Sequence, residues 1–173
     1  MKKYFSILAL ALVLGLGLAS CNTETNEPAG GTAVEKMAGH WVVTVDAYDY
    51  DGNLLYEDPF EYGEWDMYTY NTAADDADQM WLSDGRNFWD YTLKVPIDLK
   101  AQTFAVKDAY IYSDEDEDGA YDVYCTITNG KIIPNGGKNI NGKPTDAIEY
   151  DITFTDDPYD FVYHVHGVRY AGF

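Results

Sequence analysis

Two histidines near the carboxyl end have a spacing that metal sites use. His164 and His166 lie two residues apart, so an extended strand places both imidazoles on one face, as some zinc sites require. The alternation of the neighbouring apolar residues puts that face on the outside of the predicted sheet. No third ligand has a fixed spacing to the pair. We therefore interpret both as surface histidines and predict no metal and no other cofactor.

An acidic run is the second candidate for ion binding. Asp114, Asp116 and Asp118 occupy the first, third and fifth positions of a calcium-loop pattern, and Gly119 occupies the sixth. The twelfth position is Cys125 rather than glutamate, and the flanking residues are typical of strands rather than helices. We expect a solvated hairpin tip with at most a weak affinity for Ca²⁺.

Residues that could act as catalytic nucleophiles are few. Beyond residue 21 the sequence holds two serines, Ser83 and Ser113, and neither lies in the Gly-x-Ser-x-Gly context of a hydrolase elbow. Cys125 alternates with Tyr121 and Val123, which predicts a buried and unreactive thiol. No His-Glu-x-x-His motif is present. The motifs name no catalytic residue and favour a binding protein over an enzyme.

The aromatic residues carry the remaining signal for function. With 16 Tyr, 7 Phe and 4 Trp, the chain is rich in side chains that bury large apolar surfaces. In a small barrel such residues either fill the core or line a ligand cavity. The candidates for the lining are Trp65, Met67, Trp81, Trp89, Tyr91 and Tyr163. Such a cavity would suit a small hydrophobic ligand, and the same residues with nearby acids would also suit a sugar.

The first 21 residues have the pattern of a bacterial export signal. Lys2 and Lys3 precede an uncharged apolar run over 4–18, and small residues then lead to Cys21. Leu-Ala-Ser-Cys matches the lipobox, in which a diacylglyceryl group is attached to the cysteine thiol before the signal is cut. The sequence therefore predicts lipid attachment at Cys21 and an outer-membrane location, without indicating which face of that membrane.

The rest of the chain divides into a linker and one domain. Residues 1–20 would be removed, residues 21–36 would form a lipid-attached flexible tether rich in Gly, Pro, Thr and Asn, and residues 37–173 would form the domain. A formal net charge of −19 repels phosphate backbones and argues against a nucleic-acid partner. The expected partners are a small hydrophobic ligand and, through the lipid, the membrane.

Apolar residues alternate with polar ones throughout the domain, with the period of a half-buried strand. The clearest case is Ile148, Tyr150, Ile152 and Phe154, opposite the polar residues between them. Asn129-Gly130 predicts a two-residue hairpin turn. The predicted strands lie near 41–50, 54–62, 64–71, 79–84, 88–97, 103–112, 120–128, 131–134, 146–155 and 160–170. Short connections favour an all-β fold, a single antiparallel up-and-down barrel of about eight strands, over a sandwich.

Residues at the two ends of the domain carry a family resemblance. Gly39-His40-Trp41 begins the first predicted strand, and Arg169 lies in the last one. This pattern resembles the lipocalin superfamily, where a Gly-x-Trp meets an arginine of the last strand and closes one end of the barrel. With the lipobox and the acidic, Tyr-rich domain, the chain resembles the bacterial lipoproteins called lipid-binding putative hydrolases. The resemblance implies that Trp41 and Arg169 form a structural pair at the barrel end.

The residues and the resemblance together predict an outer-membrane lipoprotein whose barrel binds a lipid or fatty-acid-like ligand. Two alternatives remain open: a glycan-binding module at the cell surface, and a hydrolase acting on a lipid or an ester. A closed cup of Trp and Tyr side chains would favour a lipid, and an open aromatic platform on the outside would favour a sugar. A buried acid–His or Ser–His contact would favour an enzyme.

Overall fold

The computed structural model describes residues 31–116, 119–170 and 172. Cys21, the predicted signal and Asp118 lie outside these residues. The strands are β1 (Gly39–Tyr48), β2 (Leu54–Glu57), β3 (Trp65–Asn71), β4 (Gln79–Ser83), β5 (Thr92–Asp98), β6 (Thr103–Asp116), β7 (Gly119–Lys138), β8 (Pro144–Phe154) and β9 (Val162–Arg169). The described residues form no helix, and none therefore is long and apolar enough to cross a membrane.

The strands form one antiparallel sheet that closes on itself. Each strand from β3 to β8 pairs with the next along the chain, and β1 pairs with both β3 and β9. The short β2 extends this arrangement by pairing with the last residues of β1. The predicted all-β up-and-down barrel is therefore confirmed as eight closed strands plus one additional strand.

The barrel interior is filled by side chains because inward positions alternate with outward ones along each strand. In β1, β3 and β8 every second residue is buried, as the spacing of the apolar residues predicts. The fully buried side chains include Met67, Met80, Leu82, Tyr91, Ile127, Tyr150, Ile152 and Tyr163. These residues make a packed core along the barrel axis.

The structure corrects the hairpin turn predicted at Asn129-Gly130. Strand β7 continues through both residues, and its register against β8 shifts between Thr128 and Lys131. Asn129 has a φ of 56°, which serves a β-bulge as well as a turn. Gly130 lies against Phe104, whose carbonyl oxygen would be 2.4 Å from an added Cβ. The two predicted strands are therefore one bulged strand.

Candidate functional site

A turn that precedes β1 closes one end of the barrel, which we call the closed end. The amide nitrogens of Met37 and Ala38 both donate to the carbonyl oxygen of Val34, at 2.8 Å each. The side chains of Val34 and Met37 are fully buried. The packed domain therefore includes residues that the sequence assigned to the flexible tether.

The Trp41–Arg169 pair lies at this closed end. The two residues are cross-strand neighbours in β1 and β9, and the Arg169 guanidinium lies 4.4 Å from the centroid of the Trp41 ring. Arg169 donates hydrogen bonds to the carbonyl oxygens of Ala38 and Lys36, and its Nε donates to Asp146 at 3.2 Å. The guanidinium therefore connects the first turn to the last two strands.

The indole of Trp41 is fully buried, and its polar atom is satisfied. Trp41 Nε1 donates to Thr69 Oγ1 at 2.8 Å, and that hydroxyl donates to the carbonyl oxygen of Met37 at 2.6 Å. Because each donor already has an acceptor, this cluster has the character of a structural closure. It offers no free group to a ligand.

The opposite end, which we call the open end, is built from loops rather than strands. Three loops each bend around an aspartate that accepts hydrogen bonds from backbone amides two to five residues later. Asp58 accepts from Tyr62 and Gly63 at 2.9 and 2.8 Å. Asp157 accepts from Tyr159 and Phe161 at 3.0 and 2.9 Å.

The third loop is held by Asp84, a carboxylate with no exposed surface. It accepts from the amides of Arg86, Phe88 and Trp89 at 2.9, 3.1 and 2.9 Å. These bonds hold residues 88–91 in the loop, so β5 begins at Thr92 rather than near residue 88 as predicted. A charged group is tolerated in the interior here because backbone donors satisfy it.

The three loops bring aromatic side chains together over the open end. Trp89 stacks on Phe154 with ring centroids 4.3 Å apart and an angle of 7° between the planes. Phe88 contacts Phe60 at 5.9 Å and Tyr163 at 5.2 Å. We call this set the aromatic cluster: Phe60, Tyr62, Phe88, Trp89, Phe154, Tyr159, Phe161 and Tyr163. Its members come from separate loops and from the ends of β8 and β9.

A depression of about 700 Å³ lies against this cluster, and we call it the open-end basin. Apolar ring surfaces and carboxylates share its walls. The lining residues are Phe60, Tyr62, Arg86, Phe88, Trp89, Asp90, Tyr112, Ser113, Asp114, Asp156, Pro158 and Tyr159. The size and the mixture of aromatic and polar groups suit a small ligand with an apolar part and a polar part.

Asp156 ties two walls of the basin together. Its carboxylate accepts from Trp89 Nε1 at 3.0 Å and from the Tyr112 hydroxyl at 2.9 Å. Burial, together with the hydrogen bond to Asp156, raises the pKa of Tyr112 to about 12. The hydroxyl therefore stays protonated at neutral pH and remains a donor. The arrangement fixes the orientation of the Trp89 indole.

One buried polar atom behind the aromatic cluster, Trp65 Nε1, has no hydrogen-bond partner among the described residues. The Trp65 ring packs against Phe88, with a centroid distance of 5.6 Å. The Tyr163 ring packs against the other side of the cluster at 5.2 Å from Phe88, and burial together with the nearby Asp157 carboxylate raises the pKa of its hydroxyl well above the usual value. Buried donors are usually satisfied, so the indole N–H of Trp65 is unusual.

The structure divides the six residues that the sequence proposed for a cavity lining. Trp89 lines the open-end basin. Met67, Tyr91 and Tyr163 are fully buried in the core, and Trp65 is 7 % exposed. The Tyr91 and Tyr150 hydroxyls are hydrogen-bonded to each other, and Tyr150 also contacts the Met67 sulfur at 3.1 Å. These four residues fill the barrel rather than line the basin.

Trp81 requires a correction, because it points away from the interior. It lies in β4 between Met80 and Leu82, which are both buried. On the outer face its ring stacks with Tyr70 at 6.4 Å, and Lys94 Nζ lies 5.5 Å from its centroid. The one-residue offset that separates the two faces of a strand decides its direction.

The described histidines are each paired with an aspartate. His164 Nδ1 lies 2.7 Å from Asp151, and His166 Nε2 lies 3.1 Å from Asp46, on the outer face as predicted. Within residues 31–116 and 119–170, no three His, Cys, Asp or Glu side chains are placed to hold a metal ion. Asp114 accepts from the Glu115 amide at 2.8 Å, and the Asp116 side chain lies outside the described atoms.

The candidate serines have hydrogen-bond partners other than histidine. Ser83 is hydrogen-bonded to Thr92 at 2.9 Å and Ser113 donates to the Asp122 carboxylate at 2.5 Å, and the described residues show no hydrogen bond between a serine and a histidine. Cys125 is buried, and its burial raises the pKa of the thiol to about 12. The thiol is therefore protonated and a poor nucleophile at neutral pH.

Sequence reasoning missed the aspartates that shape the open end. Asp58-Pro59, Asp84-Gly85 and Asp157-Pro158 all carry a recognisable turn signal. The turn signal shows where the chain bends but not that the three bends converge. Asp156 lies next to the Asp157-Pro158 turn signal, but no sequence pattern marks Asp156 itself as a functional residue.

Comparison with known proteins gives one family and several similar solved structures. The profile of a family described as "lipid-binding putative hydrolase" matches residues 26–173. No curated protein matches the chain. A crystal structure of a protein of unknown function from Bacteroides ovatus is similar at 13 % identity with a TM-score of 0.44. That alignment covers 76 % of this chain and 41 % of the other, so this chain spans less than half of that protein.

Proposed function

This chain belongs to the family of lipid-binding putative hydrolases, and we propose that its barrel binds a lipid or fatty-acid-like ligand at the open-end basin. One observation supports placing the ligand at the open-end basin rather than in the barrel interior. The basin is a depression of about 700 Å³ walled by aromatic rings from three loops, whereas the barrel interior is filled by its own side chains. Apolar surface of a ligand buried there would contribute about 25 cal/mol per Å² before the costs of association.

Two tryptophans provide a matched test of this assignment. Trp89 lines the basin and Trp81 lies on the outer face, and both are half-buried. We expect binding of a 12-carbon monoacylglycerol, measured by isothermal titration, to fall at least about tenfold in Trp89→Ala, the equivalent of 1.4 kcal/mol. Trp81→Ala should leave it unchanged. Equal losses in both variants, or no binding by the native protein, would contradict the proposal.

We further propose that the protein is a lipoprotein of the outer membrane, attached through Cys21. The support is the sequence of residues 1–21, with its lysines, apolar run and lipobox. Acyl chains contribute about 0.8 kcal/mol per buried CH₂, so attachment dominates partitioning. Cys21→Ala should move the protein from the detergent phase to the aqueous phase, and fractionation of the native cells should recover the unaltered protein with outer membranes. An unchanged partition of the variant would contradict lipidation.

A glycan-binding role is the second candidate, and an outer aromatic stripe favours it. Tyr70 and Trp81 are stacked with 23° between their planes, and the Tyr70 side chain is 40 % exposed. Stacked, exposed rings on a sheet face suit the apolar faces of sugars. Under this alternative Trp81→Ala, not Trp89→Ala, abolishes retention on a polysaccharide column. Neither proposal includes hydrolysis, because the described hydrogen bonds of Ser83 and Ser113 go to Thr92 and Asp122 and do not form a serine–histidine pair.

A further inference from the structure

The charges around the open-end basin are unequal. Among the described residues, three carboxylates line it, from Asp90, Asp114 and Asp156, against one cation, Arg86. Arg86 is already paired with Asp90 at 3.4 Å, and its side chain is 84 % exposed to solvent. The chain as a whole carries a formal net charge of −19. An approaching ligand therefore meets a negative field that the basin itself does not neutralise.

Building on the binding role proposed above, we propose that the ligand of the basin is an amphiphile with a cationic, ammonium-type headgroup. Tyr62, Tyr112 and Tyr159 line the basin together with the three carboxylates. Ring faces attract an ammonium through their quadrupole, and carboxylates attract it through their charge. The basin combines both kinds of group beside the apolar rings of Phe60 and Phe88, which suit the hydrocarbon part of the same molecule.

The carboxylate of Asp156 is oriented for this role. Trp89 and Tyr112 donate to its two oxygens, one each, and these bonds fix the orientation of the carboxylate in the lining of the basin. A carboxylate oxygen has lone pairs for more than one donor, so each oxygen can still accept from an ammonium N–H. Because the pKa of Tyr112 is raised, its hydroxyl is a neutral donor at pH 7 and adds no further negative charge to the basin.

An anionic headgroup fits the same walls poorly. A fatty-acid carboxylate would find Arg86 as its one cationic partner in the lining, on a solvated side chain, and would lie near three like charges. Exposed ion pairs contribute little, whereas like charges in a partly desolvated basin repel.

Three probes with one chain length and different headgroups test the proposal. They are dodecylammonium, whose headgroup carries three N–H donors, 1-monododecanoylglycerol and dodecanoate, each titrated into the purified protein below its micellar concentration. We expect the ammonium to bind about tenfold more tightly than dodecanoate at low salt, with the neutral glycerol between them. The ratio should shrink at high ionic strength, because partly exposed charges are screened.

Paired variants separate the basin charges from the overall charge. Asp90→Asn with Asp114→Asn removes two charges from the lining, and Glu35→Gln with Asp78→Asn removes two exposed charges from the closed end. The first pair should lower ammonium affinity about three- to tenfold while glycerol binding persists, which also shows that the variant is folded. The second pair should change neither affinity more than about twofold.

The outcomes distinguish this inference from the binding role on which it rests. Equal affinity for the three probes, tightest binding of dodecanoate, or equal effects of the two variant pairs would overturn the cationic headgroup and leave hydrophobic binding intact. Failure of all three probes to bind would overturn the binding role itself.

Discussion

The two ends of the barrel are both covered by aromatic side chains, but they are held in different ways. At the closed end Trp41 sits within a strand, and its indole N–H and the neighbouring hydroxyl are both hydrogen-bonded. At the open end the aromatic cluster is carried mostly by loops, and behind it Trp65 Nε1 has no hydrogen-bond partner within the part of the chain that the structure describes. Strand-held, satisfied groups suit a fixed closure, whereas loop-held rings suit a surface that admits a ligand.

The difference also concerns charge. Arg169 covers the closed end and neutralises Asp146, while the carboxylates of the open-end basin outnumber its single arginine. Because both ends of the barrel are rich in aromatic residues, aromatic content alone does not identify a binding site. The partners of the aromatic side chains decide between closure and recognition.

The largest expected effect is at the closed end. Trp41→Ala removes a fully buried indole, its contact with Arg169 and its bond to Thr69, so we expect the free energy of unfolding to fall by about 3–5 kcal/mol. Urea denaturation measures this change, with Trp81→Ala as the outer-face control. The fraction that remains folded should still bind the monoacylglycerol. Loss of that binding would indicate that the ligand site is at the closed end and would contradict the assignment of a structural role to that end.

Arg169→Ala should cost less, about 1.5–3 kcal/mol, because it removes hydrogen bonds and an ion pair but leaves a smaller buried void. Since Arg169 and Trp41 touch, the double variant should lose less than the sum of the two single losses, by about 0.5–3 kcal/mol. Denaturation of all four proteins completes the cycle. Strictly additive losses would show that the contact contributes nothing to closure.

At the open end, Asp84→Ala removes the acceptor of three backbone amides. We expect a loss of stability of about 1–3 kcal/mol, since those amides can regain partners only in water. The same change should weaken monoacylglycerol binding, because it frees the loop that carries Phe88 and Trp89. A variant that loses stability but keeps full affinity would show that the loop geometry does not define the basin.

The smallest effect is expected for Tyr112→Phe, about 0.5–1.5 kcal/mol at pH 7, for the lost bond to Asp156. The pKa of Tyr112 is raised from 10.0 to about 12 in the folded protein. Stabilisation by the protonated hydroxyl is therefore fully present below pH 10 and is lost as the pH rises towards 12. The difference between the native protein and the variant should shrink over that range in urea titrations. If the difference in unfolding free energy between the two proteins did not change with pH, the Tyr112 hydroxyl would not be the group that titrates.

The spacing of apolar residues predicted β1, β8 and β9 correctly. Every second residue of a strand lies on the same face, so the face that packs in the core is apolar at every second position. The same rule was ambiguous at short elements. Trp81 shares a strand of five residues with Met80, and nothing local shows which parity points inward. At Asn129-Gly130 the backbone angle that a turn needs is also the one that a bulge uses.

The sequence by itself determined most of the sheet, because the alternation that marks a strand depends on residues a few positions apart. A family resemblance supplied the pair at the closed end, and export and lipidation stay predictions from the motif at residues 1–21. Only the tertiary structure decided the open-end basin. Its central aspartate, Asp156, lies 67 residues from Trp89 and 44 from Tyr112 along the chain. Such distant groups meet only when the barrel closes, since hydrogen bonds between loops follow from the path of the strands and leave no periodic trace in the sequence.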